Sequence, residues 1–300
     1  MRPIKIILDS CSDVTRQMMD QYDLDYAKMN TVYRGEQTPA SLDWEYYTPQ
    51  ELYGIMRGGE RVTTTQVPVE EFDRIFRLYL EKGFDIIYIG CSLKQSGSVN
   101  TATVVAKDLL KEFPDARIEC IDSMNSSIGQ GMMGFLASDC NKAGDDFDTI
   151  VAKVLDIRKR INQFVTVNTL EWLRKAGRVK ASSAFFGNLM GVKPILISDV
   201  HGYQTALKKV KGRMNSLNEI VDLLKEKAIN PEEQIIYMAH SDCTEDELEH
   251  LRNQIREKLN PKDIVCVYIG PIIGASVGPD TIGVWAVGDP VTFDVEAGEK

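Results

Sequence analysis

Asp85-Ile-Ile-Tyr-Ile-Gly-Cys-Ser-Leu-Lys-Gln-Ser-Gly-Ser98 reads as a strand that runs into a hydroxyl-rich turn. Asp85–Gly90 is nearly all apolar and ends at turn residues, the pattern of a strand buried on both faces. Helical spacing follows over Val99–Phe113. Working outward, Ile4–Leu8 and Ala116–Ile121 read as further buried strands. Val69–Lys82 and Gly129–Lys142 carry the helical period. Such alternation predicts a mainly parallel sheet with flanking helices. Ligands in these folds sit at the carboxyl ends of the strands. Asp9-Ser10, Cys91-Ser92 and Asp122-Ser123 all fall at such ends, which makes them the first place to seek a site.

A boundary is expected after the helix Asp148–Arg160. Strands then read at Phe164–Val167, Val192–Ile197, Gln234–His240, Asp263–Ile269 and Thr281–Val287. Helices fit Leu170–Lys175, Ser182–Leu189, Ser216–Lys227 and Thr244–Leu259, with Ser216/Glu219 and Thr244/Glu247 spaced as capping boxes. The expected fold class is α/β in two domains. Residues 1–160 form the mainly parallel domain, and 161–290 form an α/β domain with a mixed or antiparallel sheet. Residues 291–300 read as an acidic tail with little packing value.

The chain has 300 residues, 43% hydrophobic and 26% charged, with a net charge of −9. There is apolar material for two sizeable cores. The acidic balance argues against nucleic acid, where lysine and arginine must neutralise phosphates. It also argues against docking on an anionic membrane surface. No stretch approaches the roughly 20 apolar residues of a membrane span, and the short run before Asp9 reads as a first strand and not as a signal peptide. Cys11, Cys91, Cys120, Cys140, Cys243 and Cys266 form no C-x-x-C pair. They read as reduced thiols of a cytoplasmic protein.

Two catalytic-looking motifs have bland readings. Gly274-Ala-Ser-Val-Gly278 matches G-x-S-x-G, but that elbow needs a histidine downstream, and the last histidine is His250. Gly129-Gln-Gly-Met-Met-Gly134 matches G-x-G-x-x-G, but the dinucleotide fingerprint starts directly after a strand, and Ser123–Ile128 intervenes. Glycines inside an apolar helix serve close packing. Ser126 or Ser127 at that helix start can still aim free N–H groups at an anion. There is no P-loop, no H-E-x-x-H and no metal-spaced cluster, so no cofactor and no metal are expected. Of His201, His240 and His250, only His240 has a functional look.

Three stretches agree with one another: Thr63-Thr-Thr-Gln-Val-Pro68, Cys91–Ser98, and Ile269-Gly-Pro-Ile-Ile-Gly-Ala-Ser-Val-Gly-Pro-Asp-Thr-Ile-Gly283. The last is rich in glycine, which lets a backbone approach a ligand, and in proline, which fixes a turn. Thr64 and Thr65 precede a turn, and Ser96 and Ser98 flank Gly97 at a helix start. Singly, each is a turn or N-cap residue. Jointly, hydroxyls beside a helix N-terminus suit a carboxylate or phosphate.

In order and spacing these stretches resemble the DegV family, over Ile4 to about Gly288. Asp9-Ser-Cys-Ser-Asp13 is similar to its opening, Thr64-Thr-Gln-Val to its Thr-Ser-Gln-Pro turn, and Ser96-Gly-Ser98 to its Ser-Gly-Thr turn. Asn168–Arg178 resembles its Leu-x-x-Gly-Gly-Arg segment, and Lys193-Pro-Ile-Leu and Ile269–Gly283 follow in place. The resemblance implies bacterial cytoplasmic proteins of two α/β domains with a lipid tunnel between them. They bind one long-chain fatty acid and are not stand-alone enzymes. It implies that Thr64 and Ser96 hold the carboxylate, with Thr65, Gly97, Ser98, Gly274 and Ser276 around it. Phe185, Phe186, Leu189 and Met190 are candidates to line the tail.

Some family members serve a fatty acid kinase, and a kinase subunit is therefore an expected partner. Two departures bear on it. Ser276 stands where the family commonly has histidine, and serine cannot become a cation near neutral pH. Val210-Lys-Gly-Arg213 stands where Val-Arg and a polar residue are common, and lysine lacks the bidentate grip of arginine. Proline is common at the position of Val67 and leucine at that of Gln95, which bears on head-group geometry. The rival expectation is an enzyme acting on an acyl or phosphate group through Ser96 or Ser276, with His240 as base. A third is a sensory protein whose lipid occupancy alters a surface.

Overall fold

The computed structural model describes residues 2–186 and 191–297. In chain order the elements are β1 (Ile4–Asp9), α1 (Arg16–Tyr22), β2 (Leu24–Ala27), β3 (Asn30–Tyr33), β4 (Glu36–Pro39), α2 (Pro49–Arg57), β5 (Thr63–Thr65) and α3 (Val69–Leu80). Then come β6 (Asp85–Gly90), α4 (Ser98–Glu112), β7 (Ile118–Asp122), α5 (Ile128–Lys142), α6 (Phe147–Ile157), β8 (Ile161–Thr166) and α7 (Glu171–Ala176). The remainder are β9 (Val192–Ser198), β10 (Gln204–Lys211), α8 (Arg213–Lys227), β11 (Ile235–His240), α9 (Glu245–Leu259), β12 (Asp263–Tyr268), α10 (Pro271–Val277) and β13 (Ile282–Val287). They fall into two compact units, each of three separate stretches. Unit 1 takes the chain up to Tyr46, Val62–Arg158 and Gly270–Ile272; unit 2 takes Tyr47–Arg61, Lys159–Ile269 and the chain from Ile273 on.

Unit 1 is built on a parallel sheet ordered β2-β1-β6-β7. All six residues of β1 and of β6 are buried, as continuous apolar runs in a doubly covered sheet must be. Helix α3 buries Phe72, Ile75, Phe76 and Leu80, one stripe of its cylinder. Phe72 meets Tyr88 of β6 edge-on at 5.1 Å between ring centres. Each such side chain contributes roughly 1.5–3 kcal/mol by leaving water. Helix α5 lies on β1 through its glycines. A Cβ on Gly131 would sit 2.7 Å from a Val14 methyl, and one on Gly134 would sit 3.0 Å from Leu8. The packing reading of the G-x-G-x-x-G match therefore holds. A small antiparallel sheet, β4-β3-β5, completes the unit.

Unit 2 is built on a mixed sheet ordered β10-β9-β8-β13-β11-β12, antiparallel except for the β11–β12 pair. One face packs on α8 and α9. Leu217, Ile220, Val221 and Leu224 of α8 and Leu248, Leu251, Ile255 and Leu259 of α9 meet Phe164, Ile195, Ile197, Met238 and Val284 of the strands. Thr244 caps α9 in a full capping box with Glu247, as its spacing predicts.

The structure differs from the sequence expectation in several places. Helix α8 starts at Arg213, so Ser216 lies inside it and turns its hydroxyl back to the Arg213 carbonyl at 2.7 Å. Glu219 pairs with Lys208 instead of capping. The helix expected over Ser182–Leu189 is described only as a 3-10 turn, Ser183–Phe186. Leu189 and Met190, two of the proposed tail-lining residues, lie outside the described residues. The acidic tail packs: Phe293 lies against the apolar core of unit 2, and Val200 N–H bonds the Phe293 carbonyl at 3.0 Å.

Candidate functional site

The carboxyl ends of β1, β6 and β7 do converge, but on a buried scaffold. Asp9 is fully buried and accepts four hydrogen bonds, from Cys11 N–H, Cys91 N–H, the Tyr88 hydroxyl and the Gln130 amide. Burial raises its pKa, and those hydrogen bonds oppose the rise. Ser10 ties Met29 N–H to the Ala40 carbonyl. Asp122 accepts from Leu93 N–H and Met124 N–H. These acid–hydroxyl pairs are engaged with backbone and hold the loop that follows β6 in shape.

Asp13 is the unforeseen member. It is buried at a positive φ of 53°. One carboxylate oxygen accepts from Gly270 N–H at 2.8 Å, and the other accepts from the Ser127 hydroxyl. Ser127 sits at the N-cap of α5 but makes no cap bond; its hydroxyl is given to the Asp13 carboxylate instead. Burial pushes the Asp13 pKa up to about 7, against the pull of its two hydrogen bonds, and Asp9 adds repulsion. Sequence offered only the resemblance of Asp9–Asp13 to a family opening. Its partner is 257 residues away.

Two hydroxyl turns of unit 1 come together. Thr63–Thr65 is a strand, β5, and not a turn; it pairs Thr64 with Thr31 and Thr65 with Asn30 on β3. Val67 N–H, just beyond, donates to the Ser98 hydroxyl at 3.2 Å. The Gln66 amide donates to Thr101 on α4 at 2.8 Å, and its oxygen fills the space over Gly97. Ser96 and Ser98 hydroxyls are 3.0 Å apart, and Ser98 N–H donates to Ser96. Ser98 is fully buried, whereas Thr64 and Ser96 are half-buried and Thr65 is exposed. The Thr65 hydroxyl accepts from the Asn30 amide at 3.4 Å. Helix α4 starts at Ser98 with Gly97 as its N-cap and no side-chain cap. Ser96 thus sits half-buried beside the start of this 15-residue helix, with its hydroxyl accepting Ser98 N–H, and Thr64 lies half-buried on β5. Neutral hydroxyls near a helix start suit a carboxylate or phosphate. Ser98 and Gly97 join the two stretches: one holds Val67, the other makes room for Gln66.

Gly274 and Ser276 belong to unit 2, on α10, a helix where the glycine–proline content suggests a loop. The room over the glycines is filled by protein. Tyr53 packs over Gly274 and donates its hydroxyl to the Ile269 carbonyl; Trp172 packs over Gly278. Ser276 is half-buried on this helix. His240 is buried, lies tilted against Tyr268 with 4.4 Å between ring centres, and accepts Cys243 N–H on Nδ1. Burial lowers its pKa to about 4, which makes it a weak base. Arg213 bonds Glu247 at 2.7 Å and Cys243 at 3.4 Å, and Lys193 reaches Asn168. Burial and the nearby Arg213 lower the Lys193 pKa. Phe185 lies under the Lys209 ammonium, 5.2 Å from its ring centre, and Phe186 is 40% exposed, so neither is plain core. Among the described residues no acidic, histidine or cysteine cluster could hold a metal, and no helix is long and apolar enough to cross a membrane.

The family model described as "Uncharacterised protein, DegV family" matches residues 3–289. The chain belongs to the DegV family. A DegV domain-containing protein of Clostridium perfringens is 33% identical over 289 residues, 96% of this chain and 99% of its own. A solved DegV family protein from Thermus thermophilus, described for its fatty acid binding, superposes with a TM-score of 0.86 at 26% identity, over 96% of this chain and all of its own. A stearic acid-binding protein from Eubacterium ventriosum gives 0.84 at 25% identity, over 95% and 98%. A DegV lipid-binding protein from Thermotoga maritima shares the fold at 0.85. The two-domain α/β architecture of DegV proteins is thus this chain's architecture.

Proposed function

We propose that this DegV protein is a cytoplasmic carrier that binds one long-chain fatty acid and is not itself an enzyme. In this reading the Thr64 and Ser96 hydroxyls hold the carboxylate, with Thr65, Gly97 and Ser98 around it, and the tail is buried among apolar side chains. The observation that supports this reading is the tie between the segment after β5 and the start of α4, Val67 N–H to the Ser98 hydroxyl and the Gln66 amide to Thr101, which links the two stretches that carry Thr64 and Ser96. The fatty acids described for the Thermus and Eubacterium relatives support the ligand class. Neutral donors suffice for the head group, because each buried methylene of the tail contributes about 0.8 kcal/mol. The enzyme reading gains no observation: His240 is engaged with Cys243 N–H and is a weak base.

Mass spectrometry of the purified protein, native and after organic extraction, tests the reading. A stoichiometric fatty acid that leaves on extraction supports it, and the double variant Thr64→Ala/Ser96→Ala should retain the acid poorly. Unchanged occupancy in that variant refutes the head-group assignment. Presentation to a fatty acid kinase is a separate step of the proposal. It is tested by adding such a kinase and ATP to the loaded protein and seeking acyl phosphate.

A further inference from the structure

Unit 2 holds a cleft that the fatty-acid reading does not use. It has a volume of about 540 Å³ and is lined by Phe164, Ile197, Leu207, Leu223 and Phe293. Its floor is the sheet face that α8 covers, since Phe164 and Ile197 pack with that helix. Its roof is the C-terminal segment from Pro290 to Ala297. That segment is tied down on both sides: Val291 N–H donates to the Lys159 carbonyl at 2.8 Å, and the Phe293 carbonyl accepts from Val200 N–H at 3.0 Å. His201 adds a 3.0 Å contact to Asp294. Packed interiors leave few voids larger than a water molecule. An apolar cleft of this volume, kept open under a pinned strap, lies within the roughly 300–1,000 Å³ of small-molecule sites.

The polar groups of the wall decide the class of ligand. Ser198 and Thr292 contribute neutral hydroxyls, and the Gln163 amide is engaged with Gln204 at 2.7 Å and with the Trp285 indole N–H at 3.3 Å. The Asn162 amide is engaged with the Arg160 and Asp289 carbonyls at 3.1 and 2.9 Å. Asp294 accepts from His201 and from the N–H groups of Glu296 and Ala297. The last turn of α8 brings Lys227 to the cleft with Glu226 beside it. One ammonium against two carboxylates gives no net attraction for an anion, and a helix C-terminus disfavours one. We propose that this cleft is a second binding site, for an uncharged apolar molecule such as a neutral lipid or long-chain alcohol, and that it discriminates against carboxylates.

Methyl-labelled protein titrated with n-decanol and, separately, with decanoate tests this. The expected result is saturable shifts at the Ile197, Leu207, Leu223 and Val291 methyls with the alcohol, and binding at least about tenfold weaker for the carboxylate. Leu223→Trp fills the cleft and should abolish the shifts, while the Leu251 and Ile255 methyls report that the core is intact. Leu207→Trp serves if that variant does not fold. No shift at the cleft, shifts that survive the filled variant, or equal binding of decanoate would each overturn the proposal. Because each methyl reports its own surroundings, the result is independent of whether a fatty acid occupies the Thr64–Ser96 site.

Discussion

Replacing Asp13 by asparagine should remove a pH dependence from the stability of this protein. Asp13 is buried, accepts Gly270 N–H and the Ser127 hydroxyl, and titrates near 7 in the folded chain because burial disfavours its charge. An unfolded aspartate titrates near 3.9. The folded pKa is the higher, so the folded state holds the proton more tightly. The contribution is fully present below about pH 4 and is lost as pH rises through about 7. At about 1.4 kcal/mol per tenfold change, the loss is roughly 4 kcal/mol between those limits. Asparagine keeps the shape: its oxygen accepts from Gly270 N–H, and its amide donates to the Ser127 oxygen. Urea unfolding of both proteins from pH 4.5 to 8 checks this. The stability difference, variant minus parent, should grow by several kcal/mol with rising pH. Other titrating groups, Asp9 among them, cancel in the difference to first order. Parallel pH profiles for the two proteins would refute the reasoning.

Ser98→Ala removes the acceptor of Val67 N–H, and an unpaired buried donor costs roughly 1–3 kcal/mol; hydrogen exchange at Val67 should speed accordingly. Gly278→Ala adds a Cβ at φ +80° where it would overlap the Trp172 indole. Strain of about 1–2 kcal/mol and overpacking of about 1–3 kcal/mol should lower the thermal midpoint by several degrees. Phe293→Ala takes a partly buried ring off the unit 2 core and should cost about 1–2 kcal/mol, with faster proteolysis of the C-terminal segment as its signature. Thr244→Ala breaks the capping box of α9 for about 1 kcal/mol, read as a lower urea midpoint.

What could be read from the sequence follows from which interactions are local. Ile4–Asp9 and Asp85–Gly90 declare themselves because a doubly covered strand is mostly apolar, here Ile4, Ile6–Leu8 and Ile86–Ile89, with Lys5, Asp9 and Asp85 the exceptions. Strand β10 does not: it is the sheet edge, and its Lys208, Lys209 and Lys211 are the charges that keep an edge from pairing with another chain. The three-residue β5 is too short to show a period, and its pairing with β3 is fixed by residues more than thirty positions away. Helix α10 hides behind glycine and proline. Pro271 suits a first helical position, and Gly274 is required by Tyr53, a partner more than 200 residues earlier. The same holds at the candidate site. The two hydroxyl-rich stretches that carry Thr64 and Ser96 stand out in the sequence, yet what ties those stretches together, Gln66 to Thr101 and Val67 to Ser98, is tertiary.

The weaving of the chain between the units sets a timetable for its birth. Unit 1 is not complete until Gly270 arrives to meet Asp13, and α2, made early, waits for Asp242 and Asp280 to receive Arg57. A ribosome adding roughly 5–20 residues per second needs on the order of 10–50 s to cross that interval. Through it the Asp13 carboxyl lacks its Gly270 partner. A gene cut at the apparent boundary near residue 160 would freeze the protein in that condition, so neither half should be expected to stand as an independent product.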